Sequence, residues 1–174
     1  MCTRDSNRAE AKAKEKAAKK KKRDNIANDY PKQFDLTKKV IQKWVNHVRD
    51  ADRPCISCGT ENPTIVYCGG HYKTAGGHKE LALDTLNIHK QCNYYCNSKK
   101  SGNISGDKNT HGYIEGLNQR YGEWLVEWLN GPHEQTNYLC CELIEIRAYY
   151  NRLIREGCKD DSDRPYRRHS IVLQ

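Results

Sequence analysis

The sequence has little of what builds a large core. Its 174 residues include one phenylalanine and one methionine, and apolar side chains make up only 36%. Mean hydropathy is -0.99. No apolar stretch approaches the ~20 residues a bilayer-spanning helix needs, which argues against a membrane partner. No apolar run follows the Lys-rich N-terminus, so that end does not read as a secretory signal. These absences predict a soluble, cytoplasmic protein with a small core.

Positive charge is present but unevenly placed. The net charge is +8 over the whole chain, yet residues 1–23 alone hold ten Lys/Arg against three Asp/Glu. The rest of the chain carries twenty against nineteen and is nearly neutral. Residues 8–23 are mostly Lys and Ala, which can form a nascent helix but cannot pack a core. Residues 1–34 therefore read as a flexible basic arm suited to non-specific phosphate contact.

Nine cysteines are many for a chain without an export signal, and the number is odd. That disfavours a disulfide framework and favours metal. Cys55 and Cys58 form a C-x2-C pair closed by Gly59, and Cys92 and Cys96 form a C-x3-C pair. Two close thiolate pairs predict one tetrahedral structural Zn2+ on Cys55, Cys58, Cys92 and Cys96, with Cys68 as an alternative ligand. Cys140 and Cys141 read as small buried groups of a late helix.

The chain divides by pattern. Leu36, Val40, Ile41, Trp44, Val45 and Val48 recur at helical spacing, predicting a leading helix over 35–53 with Asp35 as N-cap. A hairpin with strands near 64–67 and 80–83, then a helix from Asn93 to Lys100, is expected within a zinc-stapled core at 54–109. Apolar spacing from Tyr113 to Leu129 and from Leu139 to Ile154 predicts an antiparallel helical pair over 110–157, interrupted at Gly131 and Pro132. Residues 158–174 read as a polar, disordered tail. The fold class is α+β.

Between and beside the cysteine pairs stand His71, then Asn87 and His89, then Asn97. Histidine is the side chain whose ordinary pKa suits a general base near neutrality. The order of histidine and asparagines on strand, loop and helix resembles the ββα-metal (HNH) nucleases. That resemblance implies His71 as the base, Asn87 as its positioner, and Asn97 as a ligand of a catalytic Mg2+ or Mn2+. Lys73, Lys90, Lys99, Lys100 and Asn103 surround this set and are the expected DNA contacts.

The segments GHY (70–72), NIHKQC (87–92), CN (96–97) and KSGN (100–103), followed by Tyr113, Leu117, Tyr121 and Gly122, resemble the NinG/Rap family of lambda-like phage recombination proteins. The resemblance runs over roughly 12–155. It implies a structure-specific DNA endonuclease for branched recombination intermediates in the host cytoplasm. Other recombination proteins are implied partners, and a homodimer would suit symmetric cutting. The C-x3-C pair is one residue longer than the usual C-x2-C, which turns Asn97 by about 100° if the helix has begun. His89 is then the alternative to Asn97. Gly70 precedes His71, so the ligand that the resemblance implies beside the base is absent, and His89, His78 or Asp84 could substitute for it. Two other readings stand beside this one: a zinc-stabilised DNA-binding accessory module without chemistry, and an HNH nuclease for ordinary duplex DNA.

Overall fold

The computed structural model describes residues 27–166 together with residues 12, 14–16, 19 and 20. Most of the Lys-rich arm lies outside the described residues, as do residues 167–174. Among the described residues the fold is α+β and mostly helical, with one two-stranded antiparallel sheet.

Helix α1, Tyr30–Trp44, continues into a π-helical turn, Val45–Arg49. It begins earlier than the apolar pattern predicts. Asp29, not Asp35, is the cap: its carboxylate accepts the Lys32 N–H at 3.1 Å, and Pro31 sits in the first turn, where its missing N–H costs nothing. Asp35 lies inside the helix and pairs with Lys38 at 3.3 Å and Lys39 at 2.8 Å.

The hairpin consists of β1, Tyr67–His71, and β2, Ile88–Cys92. Its register pairs Tyr67 with Cys92, Gly70 with His89 and His71 with Ile88. The strands expected near 64–67 and 80–83 are displaced. Residues 80–83 lie in turns, and β1 instead runs through Gly69 and Gly70. Two glycines weaken a strand's intrinsic preference, but here close packing requires them. A Cβ on Gly69 would sit 2.8 Å from the Gln42 backbone of α1, and one on Gly70 would sit 2.3 Å from Gln91 Oε1. A π-helical turn, Asn93–Lys99, follows β2 as expected.

Helices α2, Gly112–Tyr121, and α3, Glu123–Asn130, are two elements where the pattern suggested one. Gly122 divides them by adopting φ +88, a conformation open to glycine at little cost. The last helix, α4, Cys140–Glu156, does not pair with α3 as expected but packs on α1. Trp44 and Tyr150 stack at 5.1 Å between centroids, and Thr37 Oγ1 donates to the Leu143 carbonyl at 2.9 Å. Cys140 is half-buried and Cys141 exposed, so Cys141 is not the small core residue the sequence suggested.

Two apolar clusters join the helices to the rest of the fold, beside a smaller one around the cysteines. Ile41, Trp44, Leu143, Ile146 and Tyr150 join α1 to α4, with Leu83 and Ile88 of the hairpin region packed in. Ile56, Leu81, Tyr113, Leu117, Leu125 and Leu129 join α2 and α3 to the cysteine knuckle. Ile41 and Leu143 are fully buried, each stabilising by roughly 1.5–3 kcal/mol over exposure. The segment 158–166, the described part of the expected tail, is tied down rather than disordered. Trp44 Nε1 donates to the Cys158 carbonyl at 2.9 Å, Tyr150 and Thr85 donate to Asp161, and buried Arg164 donates to the Leu83 carbonyl at 2.6 Å. Its many charges signalled a tail because sequence alone does not reveal which of them find buried carbonyls.

Candidate functional site

The four paired cysteines converge. The Sγ atoms of Cys55, Cys58, Cys92 and Cys96 all lie within 4.8 Å of one another. Cys55 and Cys96 are 3.9 Å apart at sulfur, Cys58 and Cys92 3.6 Å. A tetrahedron with Zn–S bonds of about 2.3 Å has edges of about 3.8 Å, so the cluster fits a structural zinc site. The electrostatics agree. Burial opposes ionisation of Cys55, but the backbone N–H groups of Cys92, Ser57 and Cys58 outweigh it and hold this thiol below its ordinary pKa. Burial and the neighbouring thiol charge push Cys92 and Cys96 up. Four thiolates this close need a cation between them. Cys68 stands outside the cluster, half-buried, its thiol pushed up to about 11 by burial.

His71, at the end of β1, lines a groove of about 390 Å³ with Asn97, Gln42, Gly70, Thr74 and Ser101 among the other walls. The fold thus brings His71 and Asn97 to one surface. His71 Nε2 lies 2.9 Å from the Ala82 carbonyl. A carbonyl only accepts, so Nε2 carries the proton of the neutral ring and Nδ1 keeps the free lone pair. Burial lowers the His71 pKa, and the Lys38 charge lowers it further, against a smaller upward push from the Ala82 bond. The ring is therefore neutral at pH 7 and able to take a proton.

Asn87 is fully buried behind this surface. Its Oδ1 accepts the Lys73 N–H at 2.7 Å; its Nδ2 donates to the Lys73 and Leu81 carbonyls at 2.9 and 3.0 Å. It closes the loop of residues 73–81, whose far side carries the Ala82 carbonyl that orients His71.

The structure does not bring His89 to the groove. It is fully buried, with Nδ1 3.2 Å from Tyr113 Oη and Nε2 3.2 Å from Tyr121 Oη. Burial, aided by the Arg49 charge, drives its pKa well below the ordinary value. Its place as alternative to Asn97 is corrected on this ground: one residue beyond Ile88, it projects from the opposite face of β2 to the cross-strand partner of His71. His78 pairs with Glu80 at 3.1 Å, and Asp84 caps the short 3-10 turn Thr85–Asn87. Neither lines the groove.

Asn103 is also corrected as a surface contact. It is 5% exposed, and its Nδ2 reaches Thr110 Oγ1 at 3.0 Å and Cys96 Sγ at 3.9 Å. It braces a cysteine of the cluster. Of the lysines, Lys99 is exposed and Lys73 half-buried, its Nζ 5.5 Å from the Tyr72 ring centroid. Lys90 donates to the Ala51 carbonyl at 2.8 Å, and Lys100 pairs with Asp107 over the Tyr95 ring.

Lys38 and Gln42 were not singled out from sequence, yet α1 presents both to this region. Gln42 Nε2 donates to the Gly69 carbonyl at 2.7 Å. Their i, i+4 spacing on a helix already evident in the apolar pattern is the signal that places them on one face. Among the described residues, the cysteine cluster is the one set of three or more His, Cys, Asp or Glu groups at ligand distance. Among the described residues, no carboxylate lines the groove.

The chain matches the family described as Bacteriophage Lambda NinG protein over residues 2–160. It is 35% identical over 121 residues to Protein ninG of Escherichia phage 933W, and likewise to Protein ninG of Salmonella phage P22; each alignment covers 68% of this chain and 56% of the relative. It is 34% identical to Protein ninG of Escherichia phage lambda, covering 55% of that protein. The chain thus matches little more than half the length of these relatives. No solved structure matches. Among the described residues no helix is long and apolar enough to cross a membrane. The resemblance carried by the histidine, asparagine and cysteine segments is accordingly one of kinship: the chain belongs to the NinG family of lambda-like phage proteins.

Proposed function

We propose that this protein is a divalent-metal-dependent DNA endonuclease of the HNH type, built on a zinc-stapled core and acting on branched recombination intermediates. One observation carries the reading: a neutral histidine of fixed tautomer, His71, lines the same groove as Asn97. In this reading His71 Nδ1 takes the proton of a water whose oxygen attacks phosphorus, as one P–O bond forms and another breaks. Asn87 holds the loop that fixes the histidine. Asn97 would help hold Mg2+ or Mn2+ through its amide oxygen, and the cation would stabilise charge on the phosphoryl oxygens. Lys73 and Lys99 contact backbone phosphates.

The missing groove carboxylate favours a second reading, since Mg2+ is commonly held through one or two carboxylates. In that reading the protein is a zinc-stabilised DNA-binding module without chemistry. Labelled linear, flapped and four-way DNA incubated with purified protein and Mg2+, Mn2+ or neither separates the two. Cleavage of branched DNA that needs added cation and is lost in His71→Ala supports the nuclease. Binding without cleavage under every cation supports the module.

A further inference from the structure

A second groove, of about 320 Å³, lies beside the cysteine knuckle and shares no wall residue with the His71 groove. Arg53, Arg120, His111 and Gln119 line it, with the backbone turn of Cys55, Ile56 and Gly59. Its charge comes from an unusual arrangement behind it. Asp50 is fully buried and meets three guanidinium groups: Arg49 at 2.9 Å, Arg120 at 3.5 Å and Arg53 at 3.8 Å. Three cations on one anion leave a net charge of +2 at this point.

Arg49 is absorbed by the fold, donating to the Thr85 and Ile88 carbonyls at 2.6 Å each. Arg53 and Arg120 are not. Among the described residues, the Arg53 side chain makes one hydrogen bond, to Tyr121 Oη at 3.3 Å, and that of Arg120 one, to the Pro54 carbonyl at 3.3 Å. Arg120 Nη1 is buried against Asp50 at 3.5 Å and is not open to solvent, so the donors left to a ligand are those of Arg53 and the rest of the Arg120 fork. Guanidinium forks with unused donors match phosphate oxygens. Of the nearby carboxylates, Asp52 pairs with Lys159 at 3.0 Å, and Glu115 keeps its charge but is not among the groove walls. His111 is turned inward, its Nε2 on the Ile56 carbonyl at 3.0 Å.

We infer that Arg53 and Arg120 form a second phosphate-binding site, which holds the backbone of a DNA arm apart from the one in the His71 groove. Asp50 preorganises the two forks without neutralising them. It also accepts the Lys90 backbone N–H at 3.2 Å, so the arginines are registered to the hairpin that carries His71. An arm held there lies at a fixed position relative to the histidine. The inference rests on the DNA-binding part of the proposed function and is independent of cleavage.

The test is equilibrium binding of zinc-loaded full-length protein to a labelled four-way DNA over a range of salt, without added Mg2+. Arg53→Gln is the primary variant because Arg53 is 41% exposed at its side chain; Arg120→Gln is the second, its zinc content and melting checked first. Each lost phosphate contact should lower the slope of log K against log salt by about 0.9. A slope unchanged in a folded Arg53→Gln protein overturns the inference while leaving the nuclease reading intact. Wild-type protein that binds no DNA overturns both. Calorimetry with inorganic phosphate at matched ionic strength gives the third arm: phosphate binding lost in Arg53→Gln, with an unaltered DNA slope, assigns the site to a free anion and also overturns the inference.

Discussion

Asn87 pairs with both backbone polar groups of Lys73, accepting its N–H at 2.7 Å and donating to its carbonyl at 2.9 Å. A third bond, from Nδ2 to the Leu81 carbonyl at 3.0 Å, draws together the two ends of one loop. Asn87→Ala leaves these buried groups unpaired, at about 1–3 kcal/mol for each that water cannot reach. Asn87→Asp keeps the acceptor and loses the donors. We expect a lower melting temperature and slower cleavage in the order wild type, Asp, Ala. Calorimetry and single-turnover rates check this, and an alanine variant with unchanged melting contradicts it.

Zinc removal should unfold the core. The four thiols draw residues 55–58 and 92–96 together across the hairpin, with only the partly buried Ile65 and Tyr67 packed against the cysteines themselves. Metal analysis should find about one zinc per chain, and a strong chelator should abolish the cooperative melt. Cys92→Ser should do the same, whereas Cys68→Ser should keep the metal. An intact melt in metal-free protein would remove the structural role.

Local spacing made some of this legible and not the rest. The metal ligands could be read because two close cysteine pairs leave few alternatives. His71 and Asn97, named together from the order of their segments, line one groove. The strands were displaced because Gly69 and Gly70 carry no strand preference; the need for them comes from Gln42 and Gln91, which are distant in sequence. His89 looked like its neighbours, but the two-residue strand period turns it into a tyrosine-lined core. The packing of α4 on α1 was not legible, because two amphipathic helices do not name their partners.

Acid should weaken the fold below the ordinary histidine range. His71 and His89 both have folded pKa values below 6.5, chiefly through burial. The unfolded chain therefore binds their protons more tightly, and stability falls as pH drops below that value. Asp50 has the same sign at lower pH. Burial opposes its ionisation, but the Arg49 bonds and the Arg49, His89 and Arg120 charges prevail, lowering its carboxyl from 3.8 to about 2. Its contribution is present above 3.8 and is lost as pH falls through about 2. Melting temperatures between pH 8 and 5 should decline, and less steeply in His89→Gln. An equal slope in that variant contradicts the assignment.

Deleting residues 1–23 removes ten basic side chains. We expect weaker binding to every DNA and a flatter salt dependence, with the preference for branched over linear DNA preserved. Loss of that preference at an unchanged salt slope contradicts a non-specific role for the arm.

The proposed base allows a sharper test through its neighbour on α1. His71→Ala should reduce cleavage by about 10²–10⁴, the usual worth of a positioned base, with DNA affinity nearly unchanged. In wild type the rate should fall on acidification with a midpoint below 6.5, because His71 must be neutral and its pKa is lowered by burial and by the Lys38 charge. Lys38→Gln removes that charge at little structural cost: Asp35 keeps Lys39 at 2.8 Å, and Lys38 is partly solvated. The His71 proton then becomes easier to hold. The acid limb should move to higher pH, while the plateau rate changes less than the midpoint region does. If Lys38 served only as a phosphate contact, KM would rise and the acid limb would stay in place. A pH–rate profile of kcat for the two proteins separates these outcomes, and an unmoved limb would mean that the titrating group is not His71 or does not sense α1.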